Sequence, residues 1–249
     1  MTGTSANSKT YMIPLSSLQY KRWPDASQHY YRIGEVNLPQ RMTEILSLGK
    51  PTNPGTVAPD FVEVITWNDA GESHYIGNIW DESVASWEYF FGNSTSWSHA
   101  GWQPIISSFI AAFKGGKDAS GMLPPQGSPG VGAMWYRTIL KSATCSSDPL
   151  GKPQGWEGAQ DAVNWAVVLA PGSSGVTVRV TSGGKVIQTV SGLGAGLQYS
   201  SAPGMIQGEQ VVQVLDASGS LVLSAHSTID VLPEANGICN YNYQVSPLQ

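Results

Sequence analysis

Charge is the scarcest ingredient of this 249-residue sequence. Asp, Glu, Lys and Arg together make up 12%, about half the share usual in a globular domain. The formal net charge is −5, and without a basic patch the chain is not built to bind nucleic acid. No apolar stretch approaches the ~18 residues of a membrane span. Residues 1–10 are polar and lack the apolar segment of a secretory signal. There are no heptads, internal repeats, glycine-rich phosphate loop or serine nucleophile elbow. Cysteine is limited to Cys145 and Cys239. That pair reads equally as one disulfide in an oxidising compartment or as two buried thiols.

Polarity comes instead from Ser, Thr, Asn, Gln and Gly, which suits an extracellular protein. The acceptor triplet Asn93-Ser94-Thr95 points the same way. Nine Trp and ten Tyr provide faces that stack on sugar rings or fill cores.

Tyr11–Leu15 is a short apolar run and reads as a buried strand. Residues 20–37 mix aromatic and charged side chains without a period and read as a long functional loop. In 38–46, Pro39 opens a helix whose apolar face is Met42, Ile45 and Leu46, and Gly49 ends it. Asp60–Trp67 is the clearest strand, with an irregular alternation expected of a strand covered on both faces. A second helix fits 103–114, with Trp102, Ile105, Ile106, Phe109, Ile110 and Phe113 at helical spacing and Gly115-Gly116 after it. Strand, helix, strand, helix is the grammar of a (β/α) fold. The Gly-, Pro- and Ser-rich segment 116–132 then marks a linker. Beyond it, short strands over 163–170, 176–181, 185–190, 210–216 and 221–226, with turns at Ser182-Gly183-Gly184 and Ala217-Ser218-Gly219, predict an antiparallel β-sandwich over 133–249.

The chemistry concentrates just after strand 60–67, in Trp67-Asn68-Asp69-Ala70-Gly71-Glu72-Ser73-His74-Tyr75. Polar residues at the C-terminal end of a strand are where (β/α) barrels place active sites. Two neighbouring carboxyls are what glycosidic hydrolysis needs, one to protonate the leaving oxygen and one to activate water or attack the sugar. Taken alone, Asp-x-x-Glu is also a capped polar loop. Asp69, Glu72 and His74 suit a metal by residue type, but no second ligand cluster accompanies them, and no cofactor is expected. Trp80, Trp87, Trp97 and Trp102 are candidates for a sugar cleft, Trp102 equally for the core. His99 reads as a helix cap, Glu63 as a seam or salt-bridge residue, and Glu35 as solvent-exposed.

The run Asp60–Asp69 with Gly71–Gly77 closely resembles the signature of glycoside hydrolase family 71, the fungal α-1,3-glucanases or mutanases. Tyr11–Ser16, Met134-Trp135-Tyr136-Arg137, Asp148–Pro153 and Cys239–Tyr243 extend the resemblance over nearly the whole chain. It implies a (β/α)8 TIM-type barrel followed by a β-sandwich, and hydrolysis of fungal cell-wall α-1,3-glucan with inversion. Asp69 and Glu72 would be the acid/base pair, with Glu72 as general acid, and Trp67, Asn68, His74, Tyr75 and Trp80 would bind substrate. The expected layout is the last two barrel units in 1–115, a linker in 116–132 and a β-sandwich in 133–249. A barrel takes ~250 residues, so the expectation is an N-terminally truncated chain, poorly soluble or inactive by itself because its sheet edges are open. Ala70, where the family commonly has a bulky residue, Gly34-Glu35-Val36-Asn37 and an insertion at 50–59 depart from the pattern. Two rivals remain: a non-catalytic carbohydrate-binding or wall-associated protein, and a metal-dependent hydrolase.

Overall fold

The computed structural model describes residues 10–23, 26–84, 92–234 and 236–249; Trp87 lies outside them. Strand β1 (Met12–Ser16) pairs in parallel with β4 (Phe61–Ile65), in register Met12 to Phe61 through Ser16 to Ile65. Helix α1 (Asn37–Ser47) connects them and buries Leu38, Met42, Ile45 and Leu46. Its expected face is therefore the packed face. Among the described residues this parallel sheet has two strands. β1 turns Ile13 and Leu15 into the core and leaves Met12 55% exposed. β4 is not covered on both faces as expected, since Phe61 is 53% exposed.

Residues 20–37 hold more order than a loop. β2 (Gln19–Arg22) and β3 (His29–Arg32) form an antiparallel hairpin between β1 and α1. The hairpin carries no simple apolar alternation, because Arg22 and His29 are turned inward with Tyr20 and Tyr31 while Gln19, Lys21, Tyr30 and Arg32 face outward. Beyond β4 come a short helix α2 (Asp81–Val84) and α3 (Gln103–Lys114), the latter with its bounds as expected.

The remainder is two antiparallel four-stranded sheets. β5 (Gly130–Arg137), β6 (Ala162–Leu169), β9 (Gly196–Pro203) and β12 (Tyr243–Leu248) form one, in the order β12-β5-β6-β9. β7 (Val176–Ser182), β8 (Lys185–Leu193), β10 (Gln210–Leu215) and β11 (Leu221–His226) form the other, in the order β11-β10-β7-β8. β7 and β8 are joined at Gly183 and Gly184, with φ of 52° and 78°, the backbone that a two-residue hairpin turn asks of glycine. β5, β9 and β12 escaped the sequence reading. Gly132 interrupts β5 because Ala166 and Leu248 leave no room for a Cβ, and Pro247 is tolerated in β12 because that strand is a sheet edge.

Alternation in β5 and β6 explains how the layers join. Met134 and Tyr136, with Val163, Trp165 and Val167, pack with Val178, Val180, Val212 and Val214 of the second sheet. Ala133 and Trp135, with Ala166 and Val168, pack in a core that also holds Ile13, Leu15, Met42, Trp102 and Phe109. The first sheet is thus apolar on both faces, and its second face supports the parallel strands, α1 and α3. Cys145 and Cys239 are joined as a disulfide with Cα atoms 5.2 Å apart, within the span such a bridge requires. No helix among the described residues is long and apolar enough to cross a membrane.

Candidate active site

β4 ends at Ile65 and the chain turns through 66–77. Three backbone hydrogen bonds close this loop: Thr66 N–H to the His74 carbonyl (3.0 Å), Ile76 N–H to Thr66 (2.9 Å) and Gly77 N–H to Trp67 (2.9 Å). Inside it, Ala70–Glu72 make a 3-10 turn. The Asp69 N–H donates to the Thr66 hydroxyl at 3.1 Å, and Asp69 Oδ1 accepts from the Glu72 N–H at 3.2 Å. The capping role open to an Asp at this position is therefore real, but it uses only one carboxylate oxygen. Ser73 follows with φ 59°, a left-handed backbone costly for a residue other than glycine.

That reversal delivers His74 between the acids. Its Nε2 stands 3.4 Å from Asp69 Oδ2 and 3.6 Å from Glu72 Oε2. The opposite wall is the hairpin. Lys21 Nζ donates to Glu72 Oε1 at 2.9 Å, and Gln19 Nε2 to Glu72 Oε2 at 2.5 Å. The hydrogen bond from His74 holds the Asp69 carboxyl below its ordinary range, against a smaller opposing cost of burial. Burial pushes Glu72 upward, but the Lys21 and Gln19 hydrogen bonds and the Lys21 charge outweigh it and hold Glu72 low. The same contact raises Lys21. Both acids are carboxylates at neutral pH in this resting arrangement.

Removing the Lys21 charge takes away a partner of the ionised form, so Lys21→Met is expected to raise the Glu72 pKa. Carbon-detected NMR titration of the Glu72 carboxyl checks it. The sign also bears on folding. A depressed carboxyl stabilises the fold above its unfolded pKa and loses that contribution as pH falls through the folded value. Lys21→Met should therefore melt closer to its parent in acid than at neutral pH.

A cleft of about 380 Å³ opens here, lined by Lys21, Trp23, Gln28, Asp69, Gly71 and Glu72. A more voluminous groove of about 570 Å³ runs along α3 and Pro124-Pro125, but it is lined by no titratable group. Of the residues expected to bind substrate, His74 alone joins the acids. Trp67 is 59% exposed and lies against Gly77. Asn68 is half-buried in the same turn, its carbonyl accepting from Ala70 N–H at 2.9 Å. Trp80 is 58% exposed at the start of α2 and lines no part of the cleft.

Tyr75, expected at the substrate, is instead fully buried, its ring stacked on His99 at 3.8 Å. Its hydroxyl donates to the Trp97 carbonyl at 2.6 Å and accepts from Asn242 at 3.0 Å. His99 stands at the N-cap of the 3-10 turn Ala100–Trp102 that leads into α3, but its side chain makes no capping bond; its ring nitrogens face the carbonyls of Tyr75 and Tyr243 at 2.9 and 3.0 Å. Trp97 packs beside Tyr75, Ile79 and Val84, and Trp102 is core. Glu35 is buried rather than exposed, accepting from the Tyr31 hydroxyl (3.3 Å) and the Gln160 N–H (3.1 Å). Glu63 is exposed.

Gln19, Lys21, Trp23 and Gln28 were missed. The available signal was alternation, with Tyr20 and Arg22 turned inward between them. Asp69, Glu72 and His74 also offer three ligand atoms within 4.8 Å of one another. The Lys21 ammonium already neutralises Glu72, which sets the cluster against a metal cation.

The model of glycosyl hydrolase family 71 matches residues 2–249. The chain is 31% identical over 247 residues to a mutanase of Penicillium rubens, covering 95% of this chain and 47% of that protein. It is 34% identical over 190 residues to a glucan endo-1,3-alpha-glucosidase of Schizosaccharomyces pombe, covering 74% of this chain and 38% of that protein. Similarity to an ascus wall endo-1,3-alpha-glucanase of the same yeast is 25% over 251 residues, covering 96% and 53%. The chain spans about half the length of these relatives or less.

Proposed function

The chain belongs to glycosyl hydrolase family 71, and from that premise we propose that it hydrolyses the α-1,3-glucosidic bonds of fungal cell-wall α-1,3-glucan outside the cell. The observation that carries this reading is that Asp69 and Glu72 line one cleft, with ligand atoms of Asp69, Glu72 and His74 all within 4.8 Å of one another. The reading includes an organisation in which 1–115 are the last two units of a (β/α)8 barrel, 116–132 a linker and 133–249 a β-sandwich. The parallel β1–α1–β4 unit supports it.

In this reading Glu72 is the general base, the reverse of the role drawn from resemblance. Two donors hold it ionised, the state that accepts a proton. Asp69, 46% exposed and bonded to His74, is the general acid; the same bond keeps it ionised at rest, so it takes up a proton as the sugar enters, before the C1–O bond breaks. Asp69 gives its proton to the glycosidic oxygen as the C1–O bond breaks. Water attacks C1 from the opposite face and passes its proton to Glu72. Inversion needs carboxyls about 6.5–9.5 Å apart, with room for that water. The pair must therefore part as the sugar enters.

The test is reducing-end release from α-1,3-glucan by the chain supplied with the rest of the barrel from the Penicillium relative. Proton NMR of the first-formed anomer reads the stereochemistry. Hydrolysis with a β-anomer product is expected; a folded hybrid that binds the glucan but never cleaves it would sink the catalytic reading. The open two-stranded sheet favours a second reading for the chain alone, that of a non-catalytic glucan-binding protein.

A further inference from the structure

β2 sorts its side chains by parity. Tyr20 and Arg22 are 0% and 3% exposed, whereas Gln19 and Lys21 face outward onto Glu72. Trp23 continues the outward file two residues on and is 49% exposed. A Cβ built on Gly71 would lie 3.8 Å from Trp23 Cζ3 and 3.7 Å from Asp69 Oδ1. The indole edge therefore borders the turn that carries both acids. Across the hairpin, the Arg32 guanidinium lies 5.3 Å from the centre of the Tyr30 ring, and Gln28 adds an amide to the cleft wall.

A half-exposed indole beside two carboxylates has a physical cost and no packing role that requires it, since Trp is usually well buried. A pyranose ring has one face of C–H bonds and a rim of hydroxyls. It matches a flat aromatic wall flanked by carboxylate and amide groups, the composition of a small-molecule site. We infer that Trp23 is the stacking platform of a glucosyl subsite next to the acid pair, with Gln28 and Lys21 reaching the hydroxyl rim. This rests on the glucan reading for the class of sugar, and on geometry for the platform.

The experiment is isothermal titration of the purified chain with a soluble α-1,3-linked glucose oligomer and, in parallel, a β-1,3-linked one. Binding does not require turnover, so the chain is used as it stands. Trp23→Ala is expected to weaken the α-linked oligomer at least tenfold. Trp23→Phe should retain affinity within about threefold, because a flat ring remains. Leu221→Ala, an exposed change in the far sheet, should bind like the parent. Thermal melts of Trp23→Ala matching the parent separate a lost platform from a lost fold. Unchanged affinity in Trp23→Ala would overturn the subsite and leave the family reaction standing. Trp23-dependent binding of the β-linked oligomer alone would overturn the α-1,3-glucan reading. Failure of a folded parent to bind either oligomer would overturn the subsite as well.

Discussion

Glu72→Gln is expected to lower kcat on α-1,3-glucan by about 10²–10⁴-fold in the barrel-complemented hybrid, with KM little changed. Glutamine keeps the shape of the side chain and a carbonyl oxygen for the Lys21 ammonium, now 2.9 Å from Glu72 Oε1. It loses the capacity to take a proton from water. A loss confined to kcat marks an interaction made only in the transition state. Asp69→Asn should fall by a similar factor on glucan but recover part of the loss on an aryl α-glucoside, whose phenolate departs without a proton. Glu72→Gln should show no such recovery, since its defect lies in the attacking water. The opposite pattern would exchange the two roles, and wild-type rates in both variants would remove the acid pair from the mechanism.

The run from Asp60 to Gly77 was legible because its order in sequence is its order in space. A strand delivers a turn, and the turn holds Asp69, Glu72 and His74 through bonds only a few residues long. Helices α1 and α3 were legible because one face of each is apolar at helical spacing and most of it is buried, although Ile110 of α3, expected on that face, is 38% exposed. What escaped is long-range. Nothing near Lys21 announces that it pairs with a residue 51 positions later. Nothing near Tyr75 shows that Asn242, 167 positions on, fixes its hydroxyl inside the core. A Tyr that lines a cleft and a Tyr buried in a core look identical in sequence. β12 was hidden by Pro247, which only an edge position permits, and Glu35 by the assumption that loop acids are solvated.

The hairpin that carries Trp23 should be among the most mutation-sensitive parts of the chain, through its hidden face. Arg22 Nη2 donates to Asp148 Oδ1 at 2.5 Å, and the two side chains are 3% and 0% exposed. Asp148 also accepts from the N–H of Leu150 (3.0 Å) and of Cys239 (3.4 Å). The neighbouring Tyr20 hydroxyl donates to the Cys239 carbonyl at 2.9 Å. The inner face of β2 is thus tied to the disulfide-linked segment, and its outer face forms the cleft wall. Arg22→Met leaves a carboxylate buried without its cation, a change that costs about 3–5 kcal/mol. Urea unfolding should show the free energy extrapolated to water falling by that amount, through a lower midpoint at an unchanged slope. Adding Asp148→Asn removes the stranded charge, so the double variant should be more stable than the sum of its single changes. Oligomer affinity then separates local from global effects. At urea concentrations where both remain folded, Arg22→Met should bind the α-1,3-linked oligomer more weakly than a variant with a cavity in the far sheet, such as Val212→Ala. Val212 is fully buried there, in a cluster separate from the core that holds Tyr20 and Tyr31 of the hairpin. Equal affinities in the two would mean that the inner anchor does not position the outer wall.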